Sequence, residues 1–384
     1  MSETIPTIDC VYAKSQGGVY VATVHIINEL LRNKKVVVRH YELPATYEPS
    51  NGKLRLARSI LGVVRYYIAL RFQTHRHQVR RPNFLYTPSP IVAFVALFIP
   101  KFTKTKIIRH FHNFSFGEDD VSPWRYIRTV TKGCLPRFFY FAPLLILYFW
   151  MEKLSLIRSW KIIAPTEYSK LVILKRYNRI NAKNITVIPN GIDKKYYYPA
   201  IRKTKSSYFH VLYVGRFVPE KGMRELVNAI MLLNPKRYVL TILSPDFTNP
   251  HLFSLFTQIR QKENIRVVHG STDVIRARFY RNSDICVLPS TGKFEQMPLA
   301  YLESIACGTP VLTSNTIRGI HPLQQAISSG LMLPDAQPKT IAARIQWYCS
   351  LSYARTSTIQ NLCVMASKPF SWSNTAAAID KLLR

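Results

Sequence analysis

The stretch "YFHVLYVGRFVPEKGMRELVNAIMLL" (208–233) joins an apolar, β-type run to a helical pattern. Residues 208–216 are rich in aromatic and β-branched side chains and predict a strand. A helix is predicted from about Glu220 to Leu233, and "YVLTIL" (238–243) predicts the next strand. A strand, a helix and a further strand in this order form the unit from which parallel α/β sheets are built.

The same alternation runs along most of the chain and defines two halves. In the second half we expect a helix near 250–263 and strands at 265–270, 284–290 and 310–314. In the first half we expect a turn at 16–18, a helix at 19–31 and strands at 7–13, 34–43, 83–87, 105–113 and 160–166. The predicted fold class is α/β, with two Rossmann-like doubly wound domains facing across a cleft and ligands at the carboxyl ends of the strands. The expected domains are 1–195 and 196–365, with 366–384 as a terminal helix packing back on the first.

Composition limits the classes of function. The chain has 384 residues, of which 47% are apolar and 12% aromatic, so it is globular and long enough for two domains. It carries 53 Lys and Arg against 21 Asp and Glu, a formal charge of +32. Such an excess predicts a polyanionic partner, either a nucleic acid or an anionic membrane surface. No nucleic-acid-binding module is visible, which favours the membrane surface and no nucleic acid.

The cysteines and the amino terminus predict a reducing compartment. The six cysteines are scattered without a C-x-x-C pair, and Cys10, Cys286 and Cys307 lie in apolar runs as core thiols would. No zinc site is expected. The start "MSETIPTID" has no basic region leading into an apolar stretch, so we expect no signal peptide.

Two segments of the first half favour a membrane surface. Residues 49–117 contain twelve Lys or Arg and no acid, and a helix over 53–80 would place five arginines on one face. The run 138–150 is apolar and aromatic throughout, yet too short to span a bilayer and interrupted by Pro143. A buried core helix would have the same composition, whereas the basic stretch favours an interfacial segment. The expected membrane contacts are Arg58, Arg65, Arg76, Arg80, Phe138, Phe139, Phe149 and Trp150.

The stretch "KFEQMPLAYLESIACGTPVLTS" (293–314) places two acids around a helix start. Pro298 suits the first helical turn, and Gly308 marks the end of the helix. Glu295 then lies on the entering loop and Glu303 in the second turn. Both acids, with the free N–H groups of the helix start, suit a ligand that carries hydroxyls and phosphate. Two surface glutamates on a solvated helix are the alternative.

Several motifs in order resemble glycosyltransferase family 4, a family of retaining nucleotide-sugar transferases of the two-Rossmann (GT-B) architecture. They are 16–30, 150–170, 185–193, 211–230, 294–314 and 370–372. The two acids resemble the family's E-x7-E signature. The resemblance thins across 44–105 and 318–365.

The resemblance implies roles in the second domain. Arg216 and Lys221 would clamp the donor diphosphate, which suits two cations beside a strand end. Glu303 would hold the ribose hydroxyls and Glu295 the hydroxyls of the transferred sugar. Solvated residues at a helix start would explain either cation alone. The remaining expected donor-binding residues are Gly215, Met297, Pro298 and Leu299.

In the first domain the resemblance implies a glycine loop and a histidine. Gly17 and Gly18 would let the backbone approach phosphate or acceptor, although a simple tight turn also explains them. His112, with Asn113, matches the family's histidine near the transferred sugar, and His110 is the alternative.

The chain departs from the family pattern at two places. Gln296 stands where glycine is usual and Met297 where another large apolar residue is usual, which bears on the donor sugar. The glycine-rich end expected after the second strand of domain two is "LSPDF" (243–247).

The expected activity is retaining transfer of a sugar from a nucleotide donor to a lipid-linked saccharide or glycolipid, in surface polysaccharide or glycolipid synthesis. The expected location is peripheral, on the cytoplasmic face of the membrane. No Asp-x-Asp motif is present, so neither a metal nor another cofactor is expected. An epimerase or a phosphorylase would need further acid–base groups or pyridoxal phosphate on a lysine. A polyanion- or membrane-binding non-catalytic relative of this fold is the alternative.

Overall fold

The computed structural model describes residues 5–13, 18–32, 36–43, 67–68, 71, 81–102, 104–112, 135–200, 206–247, 249, 252–292 and 295–384, with side chains except at 13, 135–142 and 144–145. The chain forms two compact units, Met1–Pro189 with Trp372–Arg384 and Asn190–Ser371. Each unit is an α/β layer structure with its own sheet.

The strands are short and parallel. They are β1 (Thr7–Ala13), β2 (Val37–Leu43), β3 (Phe84–Thr87), β4 (Lys106–His110), β5 (Lys161–Ala164), β6 (Ile185–Val187), β7 (Phe209–Val214), β8 (Tyr238–Ser244), β9 (Ile265–His269), β10 (Ile285–Leu288), β11 (Val311–Ser314) and β12 (Met332–Leu333). The helices are α1 (Gly18–Arg32), α2 (Pro90–Ala96), α3 (Leu135–Ile157), α4 (Glu167–Arg176), α5 (Met223–Met231), α6 (Phe253–Ile259), α7 (Asp273–Asn282), α8 (Leu299–Ala306), α9 (His321–Ile327), α10 (Pro338–Cys349), α11 (Tyr353–Ser367) and α12 (Trp372–Leu383).

The first unit contains a six-stranded sheet in the order β2-β1-β3-β4-β5-β6. Its central strands are buried on both faces, as parallel strands between helices must be; Ile8, Cys10 and Leu85 are fully inaccessible. The carboxy-terminal helix α12 belongs to this unit and packs on α1. There the rings of His25 and Trp372 stack, with centroids 5.2 Å apart.

The second unit contains a six-stranded sheet in the order β12-β11-β10-β7-β8-β9. Counted from β7, this is the dinucleotide-binding order 3-2-1-4-5-6. The direction of the strand order reverses between β7 and β10, so a crevice for ligands is expected at the carboxyl ends of these two strands. The predicted α/β class with two Rossmann-like doubly wound domains is confirmed.

The helix predicted from Glu220 to Leu233 is interrupted. A 3₁₀ turn, Pro219–Lys221, precedes α5, and Gly222 between them has a φ of +68°. This left-handed conformation favours glycine because it has no Cβ. The helix expected near 250–263 is confined to α6. Sequence analysis also missed α2 and the three-residue strand β6.

The apolar run 138–150 lies in α3, which continues through Pro143. Phe149 is half-buried against Tyr177, with ring centroids 6.1 Å apart, whereas Trp150 is 49% exposed. None of the helices in the described ranges is long and apolar enough to cross a bilayer. The helix predicted over 53–80 falls almost entirely outside the described residues.

Candidate active site

The ammonium of Lys221 lies against the carboxylate of Glu295. Lys221 ends the 3₁₀ turn that follows β7, and Glu295 lies on the loop between β10 and α8. The Ser290 hydroxyl donates a hydrogen bond of 3.0 Å to the other oxygen of Glu295. Burial opposes ionisation of Glu295, but Lys221 and Ser290 outweigh it and lower the pKa of the carboxyl below its usual value. The site therefore holds a fixed carboxylate beside a cation.

Two backbone contacts hold the Lys221 turn against the loop after β10. The N–H groups of Thr291 and Gly292 both donate to the carbonyl of Glu220, at 3.0 Å. Gly222 follows Lys221 directly. A Cβ at Gly222 would collide with the Pro289 carbonyl oxygen, so only glycine allows the two segments to approach this closely. The turn that carries Lys221 is thus held against the segment after β10 by packed backbone.

Arg216 leaves the end of β7 directly after Gly215. Its carbonyl accepts a hydrogen bond of 2.8 Å from the buried Tyr213 hydroxyl, which fixes the backbone. Its guanidinium is 3.8 Å from the carboxylate of Glu220, and the Arg216 side chain is 56% exposed. Arg216 also contributes to lowering the pKa of Glu295. The structure therefore brings Arg216, Lys221 and Glu295 together, with one cation open to solvent.

Glu303 lies in α8 and contacts a different set of residues, supplied mainly by α7. The Tyr280 hydroxyl donates to Glu303 Oε2 at 3.0 Å, and Arg276 lies 3.7 Å from Oε1. Arg276 also pairs with Asp273 at 2.6 Å. Burial raises the pKa of Glu303 above its usual value, although Arg276 and Tyr280 act in the opposite direction. Sequence analysis missed these α7 residues; their helical spacing, 273, 276 and 280, was the available signal.

The start of α8 differs in one detail from the prediction. The helix begins at Leu299, and Pro298 precedes it as the cap, with φ −62° and ψ 133°, rather than lying in the first turn. Proline has no N–H, so of the expected donor-binding residues Met297, Pro298 and Leu299 only the first and the last can donate a backbone hydrogen bond to a ligand. Asn190 anchors this segment by donating to the Met297 carbonyl at 3.1 Å.

In the first unit, His112 lies just beyond the end of β4 and is buried. Its ring stacks on that of His110, with centroids 3.9 Å apart, and the Tyr86 hydroxyl is hydrogen-bonded to His110 Nδ1. Burial, with a smaller contribution from Arg109, lowers the pKa of His112 to about 3. His112 is therefore a neutral group at working pH, able to exchange hydrogen bonds but not to carry a charge. Its predicted partner Asn113 lies outside the described residues.

Arg109 is a buried cation that sequence analysis did not single out. Its Nη1 donates to the carbonyl oxygens of Thr87 and His110, at 3.4 and 2.6 Å, and also to that of Pro88. Burial lowers its pKa to about 10. Arg109 thus ties the carboxyl ends of β3 and β4 together beside the two histidines.

The remaining predicted residues are placed as follows. Gly18 is the exposed first residue of α1, and Gly17 is outside the described part. Phe138 and Phe139 lie in α3, but their side chains are not described. Arg58, Arg65, Arg76 and Arg80 also fall outside. Among the side chains that are described, no group of three or more His, Cys, Asp or Glu could hold a metal ion.

Comparison with solved structures gives the class of fold. Sucrose-phosphate synthase from Thermosynechococcus elongatus superposes with a TM-score of 0.77 over 98% of each chain, at 17% sequence identity. The fold is therefore that of the GT-B glycosyltransferases.

Comparison with family models and curated proteins gives the family. Residues 16–196 match the model of Glycosyltransferase Family 4, and residues 208–350 match that of Glycosyl transferases group 1. Together the two matches cover most of the chain, which therefore belongs to the group 1, family 4 glycosyltransferases.

Two curated relatives illustrate the similarity. The D-inositol 3-phosphate glycosyltransferase of Paenarthrobacter aurescens is 29% identical over 56% of this chain and 54% of its own length. The UDP-Gal:alpha-D-GlcNAc-diphosphoundecaprenol alpha-1,3-galactosyltransferase of Escherichia coli is 26% identical over 44% of this chain and 46% of its own length. The chain thus spans about half the length of these relatives.

Proposed function

We propose that the protein is a retaining glycosyltransferase that moves a sugar from a nucleoside-diphosphate sugar to a membrane-held acceptor, a lipid-linked saccharide or a glycolipid. The observation that carries the proposal is the cluster of Arg216, Lys221 and Glu295 at the carboxyl ends of β7 and β10. This is the switch point of the second sheet, where open α/β sheets bind ligands. Two cations beside one ionised carboxylate suit a diphosphate joined to a sugar with free hydroxyls.

In the proposed reaction the acceptor hydroxyl oxygen bonds to the anomeric carbon as the bond from that carbon to the diphosphate breaks. The acceptor proton passes to the leaving diphosphate, on the same face of the sugar. Arg216 and Lys221 stabilise the charge that grows on the diphosphate. Glu295 accepts hydrogen bonds from the transferred sugar rather than acting as a base, because Lys221 keeps its pKa low.

The proposed chemistry is metal-independent and needs no other cofactor. A diphosphate leaving group requires positive charge at the moment of bond cleavage. Arg216 and Lys221 supply two such charges from fixed positions after β7. Addition of a chelator is therefore expected to leave the rate unchanged.

We propose that the acceptor is held at an anionic membrane surface, with the protein peripheral on the cytoplasmic face. The formal charge of +32 supports this, as does the exposed ring of Trp150 in α3. There the Lys153 ammonium lies 4.7 Å from the centre of the Trp150 ring, so a cation and an amphipathic ring are adjacent. A lipid-linked acceptor also appears in the name of the Escherichia coli relative. Surface polysaccharide or glycolipid synthesis would use such a product.

A donor screen tests the proposal. Purified protein is incubated with each common UDP-, GDP- and ADP-sugar, with and without membrane lipid extract, and released nucleoside diphosphate is measured. We expect lipid-dependent release from one donor, lost in Lys221→Ala and Glu295→Ala. Lys236→Ala, which removes an exposed lysine of the same unit, is the matched control and should retain activity. No release from any donor would overturn the proposal.

The high charge also favours a second candidate, a non-catalytic relative that binds membranes or other polyanions. This candidate predicts salt-sensitive binding to anionic vesicles without turnover of any donor. Flotation with anionic and neutral vesicles, with DNA of equal charge as competitor, separates membrane binding from binding of polyanions in general.

A further inference from the structure

The two oxygens of Glu303 are not equivalent. Oε2 accepts a hydrogen bond of 3.0 Å from the Tyr280 hydroxyl, and the Tyr280 side chain is fully buried. Oε1 has Arg276 as its nearest cation, at 3.7 Å, which is beyond normal hydrogen-bond distance. Tyr280 therefore holds Oε2, and because the carboxylate is planar, the direction of Oε1 follows from that contact.

Unlike Tyr280, Arg276 contacts a second carboxylate besides that of Glu303. Its other guanidinium nitrogen contacts Asp273 at 2.6 Å, and Asp273 also accepts a hydrogen bond of 2.8 Å from Tyr197. The Tyr197 hydroxyl lies close enough to Glu303 to lower its pKa as well. Arg276 is therefore shared between the carboxylates of Asp273 and Glu303, whereas Tyr280 donates its one hydrogen bond to Glu303.

The terminal torsion of a glutamate is broad, so an unsupported carboxylate samples many orientations. The hydrogen bond from the rigid, buried Tyr280 limits that freedom. Each carboxylate oxygen has more than one acceptor position, so the bond to Tyr280 does not prevent a vicinal diol from binding. The bond to Tyr280 fixes the plane of the Glu303 carboxylate, and with it the directions from which the hydroxyls of the diol can donate hydrogen bonds.

We propose that Tyr280 is a positioning residue for the donor, which orients Glu303 so that the carboxylate is ready to accept hydrogen bonds from the ribose hydroxyls. The proposal rests on the proposed function, together with the role that the family resemblance implies for Glu303, which is to hold the ribose. It adds a group from α7 that never touches the donor, yet decides how strongly the ribose is recognised.

Calorimetry with nucleoside diphosphates and their 2′- and 3′-deoxyribose analogues tests this proposal. Binding of UDP, GDP or ADP by the wild type tests the proposed function itself, and its absence would overturn both. With the diphosphate that binds, we expect Tyr280→Phe to weaken affinity roughly 5- to 10-fold, the size of effect that one ordinary hydrogen bond has. The same substitution should leave the affinity for the deoxyribose analogues nearly unchanged.

Tyr301→Phe is the matched control. Tyr301 is equally buried, lies in α8 beside Glu303, and its hydroxyl has no hydrogen-bond partner among the described residues. We expect Tyr301→Phe to bind ribose and deoxyribose forms like the wild type. An equal loss for both forms in Tyr280→Phe would show that Tyr280 only supports the fold. No loss for either form would also overturn the proposal.

Discussion

Gly222 packs against Pro289 so closely that a Cβ on the glycine would lie 1.9 Å from the proline carbonyl oxygen. The first residue follows the turn that carries Lys221, and the second precedes the loop that carries Glu295. The contact therefore holds the turn that carries Lys221 against the segment after β10 that leads to Glu295.

Gly222→Ala is expected to destabilise the second unit strongly. The alanine would have to adopt a φ of +68° and would also collide with the Pro289 backbone. A left-handed conformation alone costs about 1–2 kcal/mol, and we expect about 3 kcal/mol or more with the collision. Thermal and urea unfolding measure the loss, and donor turnover should fall with it.

Gly270→Ala is the matched control for this prediction. Gly270 has a similar φ of +59°, but no atom lies within 4 Å of the point that a Cβ would occupy there. Only the conformational cost of about 1–2 kcal/mol should appear. Equal losses in the two variants would show that the contact with Pro289 is unimportant.

Donor affinity is expected to fall on acidification because of Glu303 rather than Glu295. Burial raises the pKa of Glu303, so this carboxylate is protonated first as the pH falls, whereas Lys221 and Ser290 keep Glu295 ionised. A protonated carboxyl loses acceptor capacity for the ribose. Nucleoside diphosphate affinity should therefore begin to fall at a pH above the ordinary glutamate pKa of about 4.3. Glu303→Gln should remove this pH dependence, and its persistence there would contradict the assignment.

Glu303→Gln is also expected to stabilise the fold at neutral pH. The folded-state pKa of Glu303 is raised, so folding favours the protonated form, and the stability that this form provides is lost as the pH rises through that pKa. A neutral amide avoids that loss, and a gain on the order of 0.5–2 kcal/mol is typical of such sites. Glu295→Gln should do the reverse, because Lys221 favours its ionised form. Urea unfolding at pH 7 measures both.

The first unit should lose stability in mild acid through His112. Its pKa is lowered to about 3, so the folded state excludes a proton that the unfolded chain binds below about pH 6.5. Stability is therefore complete above that pH and declines as the pH falls. At pH 5.5 the expected loss from this residue is about 1.4 kcal/mol. Unfolding followed from pH 7.5 to 5 should show a shallower decline in His112→Asn, and an unchanged slope would contradict the prediction.

The sequence predicts the strands better than the contacts between helices. The bounds of β1 are those expected, because a short run rich in β-branched and aromatic residues is a local signal. The break at Gly222 could not be predicted, since it depends on contact with Pro289, which is distant in sequence. The strand β6 is only three residues long and falls within 185–193, which sequence analysis uses as a family motif and not as a strand.

The candidate site shows the same division. Arg216 and Lys221 are five residues apart in the segment that follows β7, so a local motif is enough to place them near each other. The pairing of Tyr280 with Glu303 joins residues 23 positions apart on two different helices, and neither helix alone indicates it. Burial, which separates the pKa of Glu303 from that of Glu295, is likewise a property of the packed unit.

The position of α12 has a consequence for protein synthesis. This helix completes the first unit, yet it is encoded after the whole of the second unit, Asn190–Ser371. A nascent chain folds largely in the order in which it leaves the ribosome. The surface of α1 that receives Trp372 must therefore wait, uncovered, until nearly two hundred further residues have been translated. During that interval the uncovered surface of α1 is available for a chaperone to bind.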